Sequence, residues 1–375
     1  MNAEDKELLN IYSFGTKGDG VHDDTASIQK ALDEASTSGM AVYFPPGIYS
    51  TGELIVHPET VLIAEPKWGF SSQMLGNTIL RQRFQDQECV LDVSAANAST
   101  FNGLVIEGLG EGKICSGILC RKENPGKRED AYRIERTKVS GFTGHAVSLK
   151  NVWCFTVRQS MFAFSGGDGL HMQGYDGFIS DNWFSGNRGC GFGTEDTNCS
   201  VTMTGNRIEW NQDGGIVIRG GSQYNITGNY IDRSGKEGIS LIPGNEKGKQ
   251  TFCNTISCVG NVIYRSGKSA ENNRNAQVRL EKCTGVTFTG NSMCVGRDDL
   301  GEGYVSPDIA MNIIECQECS ITGNTLSAAA LKKLIVEKEN KNCIIQNNPG
   351  SIFPGELLER NDDLPSTLAA RKKFM

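Results

Sequence analysis

One short phrase returns along most of this chain and restricts its fold more than any other feature. The phrase is usually an apolar residue, Thr, Gly and Asn, and its successive intervals are 22, 24, 23, 32, 30 and 33 residues. Its last residues are Ser160, Asn182, Asn206, Asn229, Asn261, Asn291 and Asn324. A regular period with a turn residue at one fixed place is typical of a solenoid, in which each coil buries its inner face against its neighbours.

The pattern inside each repeat predicts strands. The phrase is followed by triplets such as Arg207–Glu209 and Tyr230–Asp232, in which a central apolar residue lies between two polar ones, and then by a Gly-rich turn. Alternation with a period of two is the strand signal, and 45 Gly argue against helices. Parallel coils lie about 4.8 Å apart, so residues at equal positions in successive repeats form columns. A stacked Asn can adopt a left-handed conformation and hydrogen-bond its copies.

Length and charge narrow the class of protein. The chain has 375 residues, of which 38% are hydrophobic, and no proline-rich or charged linker divides it, which favours one elongated domain. A net charge of −7 offers no basic stripe for nucleic acid. The sequence has no apolar run of about 18 residues, so we predict no membrane partner.

Cysteine usage bears on location and on metals. The 13 Cys include several that precede the repeated phrase, and we predict stacked, reduced internal thiols at Cys154, Cys199, Cys253, Cys283, Cys319 and Cys343. Reduced thiols and the absence of a signal peptide favour a cytoplasmic protein, or a secreted one if a signal was removed.

Metal-binding patterns are weak. Cys316 and Cys319 form a single two-residue-spaced pair, where a zinc ribbon needs two such pairs. The four His, at positions 22, 57, 145 and 171, show no metal-ligand spacing. The sequence therefore predicts no metal and no cofactor.

The N-terminal region carries a family resemblance. Residues 14–25 contain Gly-Asp-Gly and Asp-Asp-Thr, residues 27–35 place their apolar side chains on one helical face that Asp23 or Asp24 can cap, and residues 44–49 read Phe-Pro-Pro-Gly-Ile-Tyr. This arrangement resembles the pectate-lyase-3 superfamily, whose relatives include polygalacturonases, inulin-type fructotransferases and phage tailspikes.

The resemblance implies an all-β fold, a right-handed single-stranded parallel β-helix with an N-terminal capping helix. It also implies an oligo- or polysaccharide partner and a homotrimer. We expect a cap over residues 1–50, the β-helix over 51–350 and a C-terminal tail over 351–375.

Two carboxylates form the first candidate active site. Glu209 and Asp232 occupy equal positions in adjacent repeats, so we expect them to face outward about one 4.8 Å step apart. Two carboxylates this close should have separated pKa values, which suits the acid and base of glycoside cleavage. Aromatic and guanidinium groups that could bind sugar rings flank the pair, namely Trp183, Arg207, Trp210, Tyr230 and Arg233.

A second candidate site competes with the first. Asp168, in Gly-Asp-Gly, resembles the Asp that polygalacturonases carry before Gly-Ile, although the next repeat lacks a second such Asp. His171, Glu195 and Asp196 could line this face as catalytic or substrate-binding groups, with Arg219 as a further substrate ligand. The alternative is that Asp before Gly is ordinary turn chemistry.

Three functions remain open from the sequence. The first, which the sequence favours, is a glycoside hydrolase or transglycosylase that works through a pair of carboxylates. The second is a polysaccharide lyase or epimerase; a lyase needs a Lys or Arg base and neutralisation of an acidic sugar, for which Arg207, Arg219 and Arg233 are the clustered candidates. The third is a non-catalytic β-helix that binds carbohydrate or forms a tailspike-like shaft.

Overall fold

The computed structural model describes residues 8–70, 76–267, 276–296 and 307–354. By compactness the chain divides into a first segment, Met1–Trp183, and a second segment, Phe184–Met375. Both segments are built mainly from parallel strands. The expected tail at 351–375 lies outside the described residues from position 355 onward. No described helix is long and apolar enough to cross a membrane.

The first segment begins with a short 3-10 helix, Ile11–Phe14, and one α-helix, α1, Thr25–Ser38. Its strands are β1 (Leu9–Asn10), β2 (Asp19–Asp23), β3 (Val42–Tyr43), β4 (Gly47–Thr51), β5 (Leu54–Ile55), β6 (Val61–Ile63), β7 (Thr78–Gln82), β8 (Cys89–Asp92), β9 (Thr100–Asn102), β10 (Val105–Glu107), β11 (Ser116–Arg121), β12 (Arg133–Glu135), β13 (Lys138–Ser140), β14 (Val147–Arg158), β15 (Met161–Ala163) and β16 (Leu170–Ser180). Strand β17 (Trp183–Ser185) starts at its last residue.

The second segment continues the same plan. Its strands are β18 (Cys190–Thr204), β19 (Arg207–Glu209), β20 (Gly214–Arg219), β21 (Asn225–Thr227), β22 (Tyr230–Asp232), β23 (Ile239–Ile242), β24 (Gly244–Glu246), β25 (Lys249–Thr251), β26 (Ser257–Val259), β27 (Val262–Tyr264), β28 (Ala276–Glu281), β29 (Thr287–Thr289), β30 (Ser292–Cys294), β31 (Ile309–Ile314), β32 (Ser320–Thr322), β33 (Thr325–Ala330), β34 (Lys333–Lys338), β35 (Ile344–Gln346) and β36 (Gly350–Ile352).

Parallel pairing between successive coils confirms the predicted parallel β-helix. Ile208 of β19 pairs with Ile231 of β22, which pairs in turn with Ile263 of β27. All three side chains are fully buried, so each column of central triplet residues forms a stripe of core. Among the described strands, β24 and β25 form an antiparallel hairpin within a longer coil.

The N-terminal helix is confirmed with its expected apolar face. Ile28, Ala31 and Leu32 are fully buried. The predicted cap differs in detail. Asp24 is the residue at the N-cap, but its carboxylate accepts hydrogen bonds from the backbone N–H of Lys17 and Gly18, whereas Asp23 accepts from the Thr25 N–H. The loop at residues 17–20 therefore binds the Asp24 carboxylate, which the sequence analysis expected to cap the helix.

The repeated Asn residues form a buried ladder in the second segment. Asn206 donates from Nδ2 to Asn229 Oδ1 over 2.9 Å, Asn229 donates to Asn261 over 3.0 Å, and Asn261 donates to Asn291 over 2.9 Å. The left-handed conformation belongs to the preceding glycine, with φ 64° at Gly228, and not to the Asn as expected. Because Gly takes the strained turn, each Asn can stay in register with its copies.

All thirteen Cys, each within the described part of the chain, carry free thiols. Burial is confirmed for Cys253, Cys283 and Cys319, whereas Cys154, Cys199 and Cys343 are partly exposed. Cys154 illustrates the reason, since its φ of 56° places it at a turned corner of its coil.

Candidate active site

Two histidines and one aspartate meet on the outer side of the first segment. His145 and Asp168 each precede a long strand by two residues, and those strands, β14 and β16, pair with Val147 opposite Leu170. The backbone N–H of Ala146 donates to the carbonyl oxygen of Asp168 over 3.0 Å, which fixes the two turns against each other. His171 lies one residue further along β16 than Leu170. The coil period thus brings together residues 23 positions apart in sequence.

The hydrogen bonds in this cluster are well defined. His171 Nδ1 lies 2.7 Å from Asp168 Oδ2, and the backbone N–H of Asp168 donates to His145 Nδ1 over 2.9 Å. The imidazole rings stack, with centroids 4.3 Å apart and an interplanar angle of 22°. Asp168 therefore orients both rings, one through its side chain and the other through its backbone.

These contacts set which tautomer each imidazole adopts in its neutral form. His171 donates its Nδ1 proton to a carboxylate, so its Nε2 carries the lone pair. His145 accepts at Nδ1, so its proton resides on Nε2. One ring is arranged as a base and its neighbour as a hydrogen-bond donor.

The cluster is accessible to a ligand. The His145 side chain is 31% exposed and the His171 side chain 17% exposed, while that of Asp168 is 11% exposed. This gradient leaves the rings at the surface and the orienting carboxylate beneath them. A catalytic base must lie within reach of the proton that it removes, and the exposed part of the His171 ring allows this.

The same three residues could hold a metal ion. His145, Asp168 and His171 each offer a ligand atom, and these atoms lie within 4.8 Å of one another. Two His and a carboxylate are the ligand set of several catalytic zinc sites. The prediction that the histidines are scattered was wrong for His145 and His171, because one coil period separates His145 from Asp168 and the stacking of coils closes that distance.

Glu209 and Asp232 do occupy adjacent coils, but they are not exposed. The register of β19 and β22 places them opposite each other, as expected. Glu209 is only 2% exposed and Asp232 only 1% exposed. The expectation of an accessible carboxylate pair is therefore corrected, because arginines from the strands and turns fold over both side chains.

Arginines neutralise this buried pair. Arg207 Nε lies 3.0 Å from Glu209 Oε2. Arg265 contacts Asp232 with Nε at 3.1 Å and Nη2 at 2.8 Å, and Arg233 Nη1 lies 2.5 Å from Asp232 Oδ2. Two guanidinium groups thus occupy the carboxylate oxygens of Asp232 that a general acid would use.

Aromatic rings complete this network. The guanidinium carbon of Arg207 lies 4.5 Å from the Tyr230 ring centroid, and that of Arg233 lies 4.7 Å from the Trp210 ring centroid. Burial raises the pKa of Glu209, Arg207 beside it opposes the rise, and Asp232 adds to it. The sequence analysis also expected one carboxylate of the pair to have a raised pKa. The main cause of the rise at Glu209 is desolvation, however, and not the neighbouring Asp232.

The remaining predicted residues have varied surroundings. Trp183 packs against Phe70, with ring centroids 5.3 Å apart, within an aromatic cluster of the first segment. Arg219 donates from Nη1 to the Thr194 carbonyl oxygen over 3.3 Å and lies 3.9 Å from Asp213. Glu195 is exposed on β18. The side chain of Asp196 lies outside what the structure describes.

The fold and the accessible cluster define a parallel β-helix protein that carries titratable groups on an outer strand face. Residues 8–240 match the family described as rhamnogalacturonase A/epimerase, pectate lyase-like. The chain belongs to this family, which agrees with the resemblance in its N-terminal region.

Relatives and solved structures share the architecture. The chain is 26% identical over 264 residues to the mannuronan C5-epimerase AlgE2 of Azotobacter vinelandii, a match that covers 62% of this chain but only 25% of that protein. The A-module of the mannuronan C-5 epimerase AlgE4 from the same organism superposes with a TM-score of 0.59 at 19% identity, covering 92% of this chain and 100% of the module. The enzymatically active domain of tailspike protein 2 from bacteriophage CBA120 gives a TM-score of 0.67 at 15% identity, covering 84% of this chain and 47% of that domain.

Proposed function

We propose that this protein acts on an acidic polysaccharide and removes the C5 proton of a uronate residue, as an epimerase-type enzyme. The observation that carries this function is the contact between His171 Nδ1 and Asp168 Oδ2 at 2.7 Å, which sets His171 Nε2 as a base on an accessible strand face. The mannuronan C5-epimerases among the relatives act on a polyuronate, which supplies the substrate class.

The chemistry follows from the two tautomers. His171 Nε2 takes the C5 proton, and the electron pair of the broken C–H bond moves into the adjacent carboxylate group. The developing negative charge needs hydrogen-bond donors that are already in place. His145, with its proton on Nε2 and its ring stacked on that of His171, is arranged to donate one.

Two outcomes can follow proton removal. Return of a proton to C5 from the opposite side of the sugar ring inverts that carbon, which is epimerisation. Expulsion of the C4 oxygen instead leaves a double bond between C4 and C5 and breaks the chain, which is a lyase reaction. We favour epimerisation because relatives that match over 62% of this chain are mannuronan C5-epimerases, and keep lyase activity as the near alternative.

Glycoside hydrolysis or transglycosylation by Glu209 and Asp232 is a weaker candidate. Both carboxylates are nearly inaccessible, and Asp232 is held by two arginines. A nucleophile or general acid must reach the glycosidic bond. A non-catalytic carbohydrate-binding role would leave the oriented pair of His171 and Asp168 without a use.

One incubation separates these functions. Purified protein is mixed with a panel of polyuronates and neutral polysaccharides in deuterium oxide, and the products are followed by proton NMR, by reducing-end analysis and by ultraviolet absorbance. Epimerisation predicts deuterium at C5 with no new chain ends. Unsaturated ends would indicate a lyase, saturated reducing ends from any glycan would indicate a hydrolase, and no change on any glycan would contradict an enzymatic role.

A further inference from the structure

A second surface continues from the histidine cluster along the same two strands. On β16 the side chains of His171, Gln173 and Tyr175 are partly exposed, and they alternate with the buried residues Met172 and Gly174. On β14 the register partners of Gln173 and Tyr175 are Lys150 and Trp153. Four residues separate His171 from Tyr175, a span of about 13 Å in an extended strand. A polymer bound at His171 can therefore extend over this surface.

Trp153 and Tyr175 form an aromatic platform. Their ring centroids are 6.3 Å apart and the ring planes are tilted by 34°, so the rings of two adjacent coils lie beside each other. The indole nitrogen of Trp153 is buried although the residue is partly exposed. The exposed part of the indole is therefore carbon, the kind of surface on which the apolar face of a sugar ring stacks.

A β-bulge gives the platform its position. The pairing of β14 with β16 shifts between Lys150 and Val152, which leaves Asn151 as the extra residue, with φ 55°. Asn151 is 8% exposed, and its Nδ2 donates to the Lys122 carbonyl oxygen over 2.8 Å. Bulges redirect side chains and are common beside active sites. Without the bulge, Lys150 and Trp153 would face opposite sides of the strand. The extra residue places both side chains on the outer face.

Close contact of the coils supports this geometry. A Cβ atom added at Gly174 would lie 2.1 Å from the Val152 carbonyl oxygen, so the strand beneath the platform accepts only glycine there. The two coils are thereby held at the separation that brings the two rings together.

Lys150 gives the surface a positive charge next to the histidines. Its side chain is exposed, and among the described residues it has no carboxylate within ion-pair distance. Arg121 occupies the equivalent position one coil earlier, but its guanidinium already contacts Glu53, Glu88 and Asp92. Lys150 stands one coil and two residues from His171, about 8 Å between Cα atoms. At the other end of the surface, the exposed Asp176 follows Tyr175 and adds a negative charge. The positive charge of Lys150 is therefore at the end nearest the histidines.

We propose that Lys150, Trp153 and Tyr175 form a second sugar subsite, which binds the residue next to the reacting uronate and selects chains with a carboxylate there. The sugar ring stacks on Trp153 and Tyr175, and its carboxylate pairs with Lys150. This inference rests on the proposed function, since it takes His171 as the place where the reacting residue sits. It adds that recognition extends along β14 and β16 and requires an anionic substrate at least two residues long.

The test measures binding and turnover separately. Binding of uronate oligosaccharides, and of the same oligosaccharides with their carboxylates reduced to alcohols, is titrated by calorimetry against the parent protein, Trp153→Ala, Trp153→Phe, Lys150→Met and Lys30→Met. Lys30 is an exposed lysine on α1. Its replacement is the control, because Lys30→Met removes the same charge from a different part of the first segment. Circular dichroism of each variant confirms folding.

We expect Trp153→Ala to weaken binding roughly tenfold, which equals about 1.4 kcal/mol, and Trp153→Phe to restore most of it. Lys150→Met should weaken binding of the charged oligosaccharide severalfold at low salt and leave the reduced one unchanged, because a surface ion pair is screened by salt. Lys30→Met should bind as the parent does. In turnover the two site variants should raise KM with little change in kcat.

The outcomes distinguish the two proposals. If Trp153→Ala and Lys150→Met bind like the parent while uronate polymers are turned over, the subsite is wrong and the proposed function stands. If both variants lose binding but the parent never exchanges a C5 proton, the subsite stands and the proposed function fails. Equal affinity of the parent for the charged and reduced oligosaccharides would overturn the role of Lys150.

Discussion

At the scale of single residues, environment decides which titratable groups can do chemistry. Asp168 is nearly buried, but it contacts His171, whose ring reaches the surface. Glu209 and Asp232 are buried more deeply and contact arginines instead. The same residue type, a carboxylate on an outer position of a coil, thus positions a base in one place and completes an ion network in the other.

Replacing Asp168 by Asn should lower kcat by about 10²–10⁴-fold with little change in substrate affinity. The amide can donate to His171 Nδ1, which would move the ring proton to Nε2 and remove the base. Rates and their pH dependence on a polyuronate measure this effect. Glu209→Gln serves as the comparison and should keep most of the activity. Loss of activity in Glu209→Gln with a normal Asp168→Asn would restore the buried carboxylate pair as the catalytic site.

Glu209→Gln should change how stability depends on pH. Burial raises the folded-state pKa of Glu209 above its ordinary 4.5. A raised pKa means that the folded state binds the proton more tightly, so the contribution of Glu209 to stability is complete below pH 4.5 and is lost as the pH rises through the folded-state pKa. The Tm of the Gln variant relative to the parent should therefore increase from acid to neutral pH.

Thermal unfolding followed by circular dichroism across this range measures the difference. Glu34→Gln, which alters an exposed carboxylate on α1, is the control and should show a small difference that varies little with pH. A Glu209→Gln difference that falls as the pH rises would show that the ion pair with Arg207 outweighs the cost of burial.

Removal of divalent metals should leave activity unchanged. Asp168 Oδ2 already lies within hydrogen-bond distance of His171 Nδ1, and the proposed proton transfer uses His171 without an ion. Activity before and after dialysis against a chelator, with each divalent metal added back in turn, checks this. Loss on dialysis, with recovery by one metal in the parent but not in His145→Ala, would assign the cluster as a metal site.

At the scale of elements, the coil is held by its ladder of stacked Asn side chains. Asn261 is fully buried, and its side chain accepts from the Asn229 backbone N–H over 3.0 Å and donates to the Ile226 carbonyl oxygen over 2.9 Å. Each rung therefore satisfies backbone groups of the coil below it. Buried backbone groups are costly when they lose their partners.

Asn261→Ala should reduce the free energy of unfolding by roughly 2–4 kcal/mol, because it leaves a buried N–H and a buried carbonyl without partners. Asn225→Ala is the matched control, since the Asn225 side chain is exposed and, among the described residues, accepts a local hydrogen bond from Thr227 Oγ1. Urea denaturation of both variants gives the comparison. Equal stability of the two would contradict a structural role for the ladder.

At the scale of the whole molecule, assembly is still a prediction. We expect a homotrimer, because the family resemblance includes trimers and because the coils between residues 138 and 229 are short and leave a side without long loops. Light scattering coupled to size-exclusion chromatography at micromolar concentration measures the mass. A mass equal to the 40.7 kDa chain would refute the trimer.

Local sequence patterns are sufficient to predict the coil. The interval of the repeated phrase, the alternation within Arg207–Glu209 and the buried face of α1 are local patterns, and each predicts the structure that is observed because strand and helix periodicity are properties of neighbouring residues. The adjacency of Glu209 and Asp232 also followed from counting the repeat.

Which of these groups a substrate can reach depends on contacts between residues that are distant in sequence. Arg265 lies 33 residues beyond Asp232 in sequence but covers its carboxylate, and His145 was missed although it lies one coil period before Asp168. Exposure depends on where long side chains of neighbouring coils lie, and on the turns that aim them. The repeat specifies which residues share a column, but the fold of each turn specifies whether a side chain in that column is covered or left open.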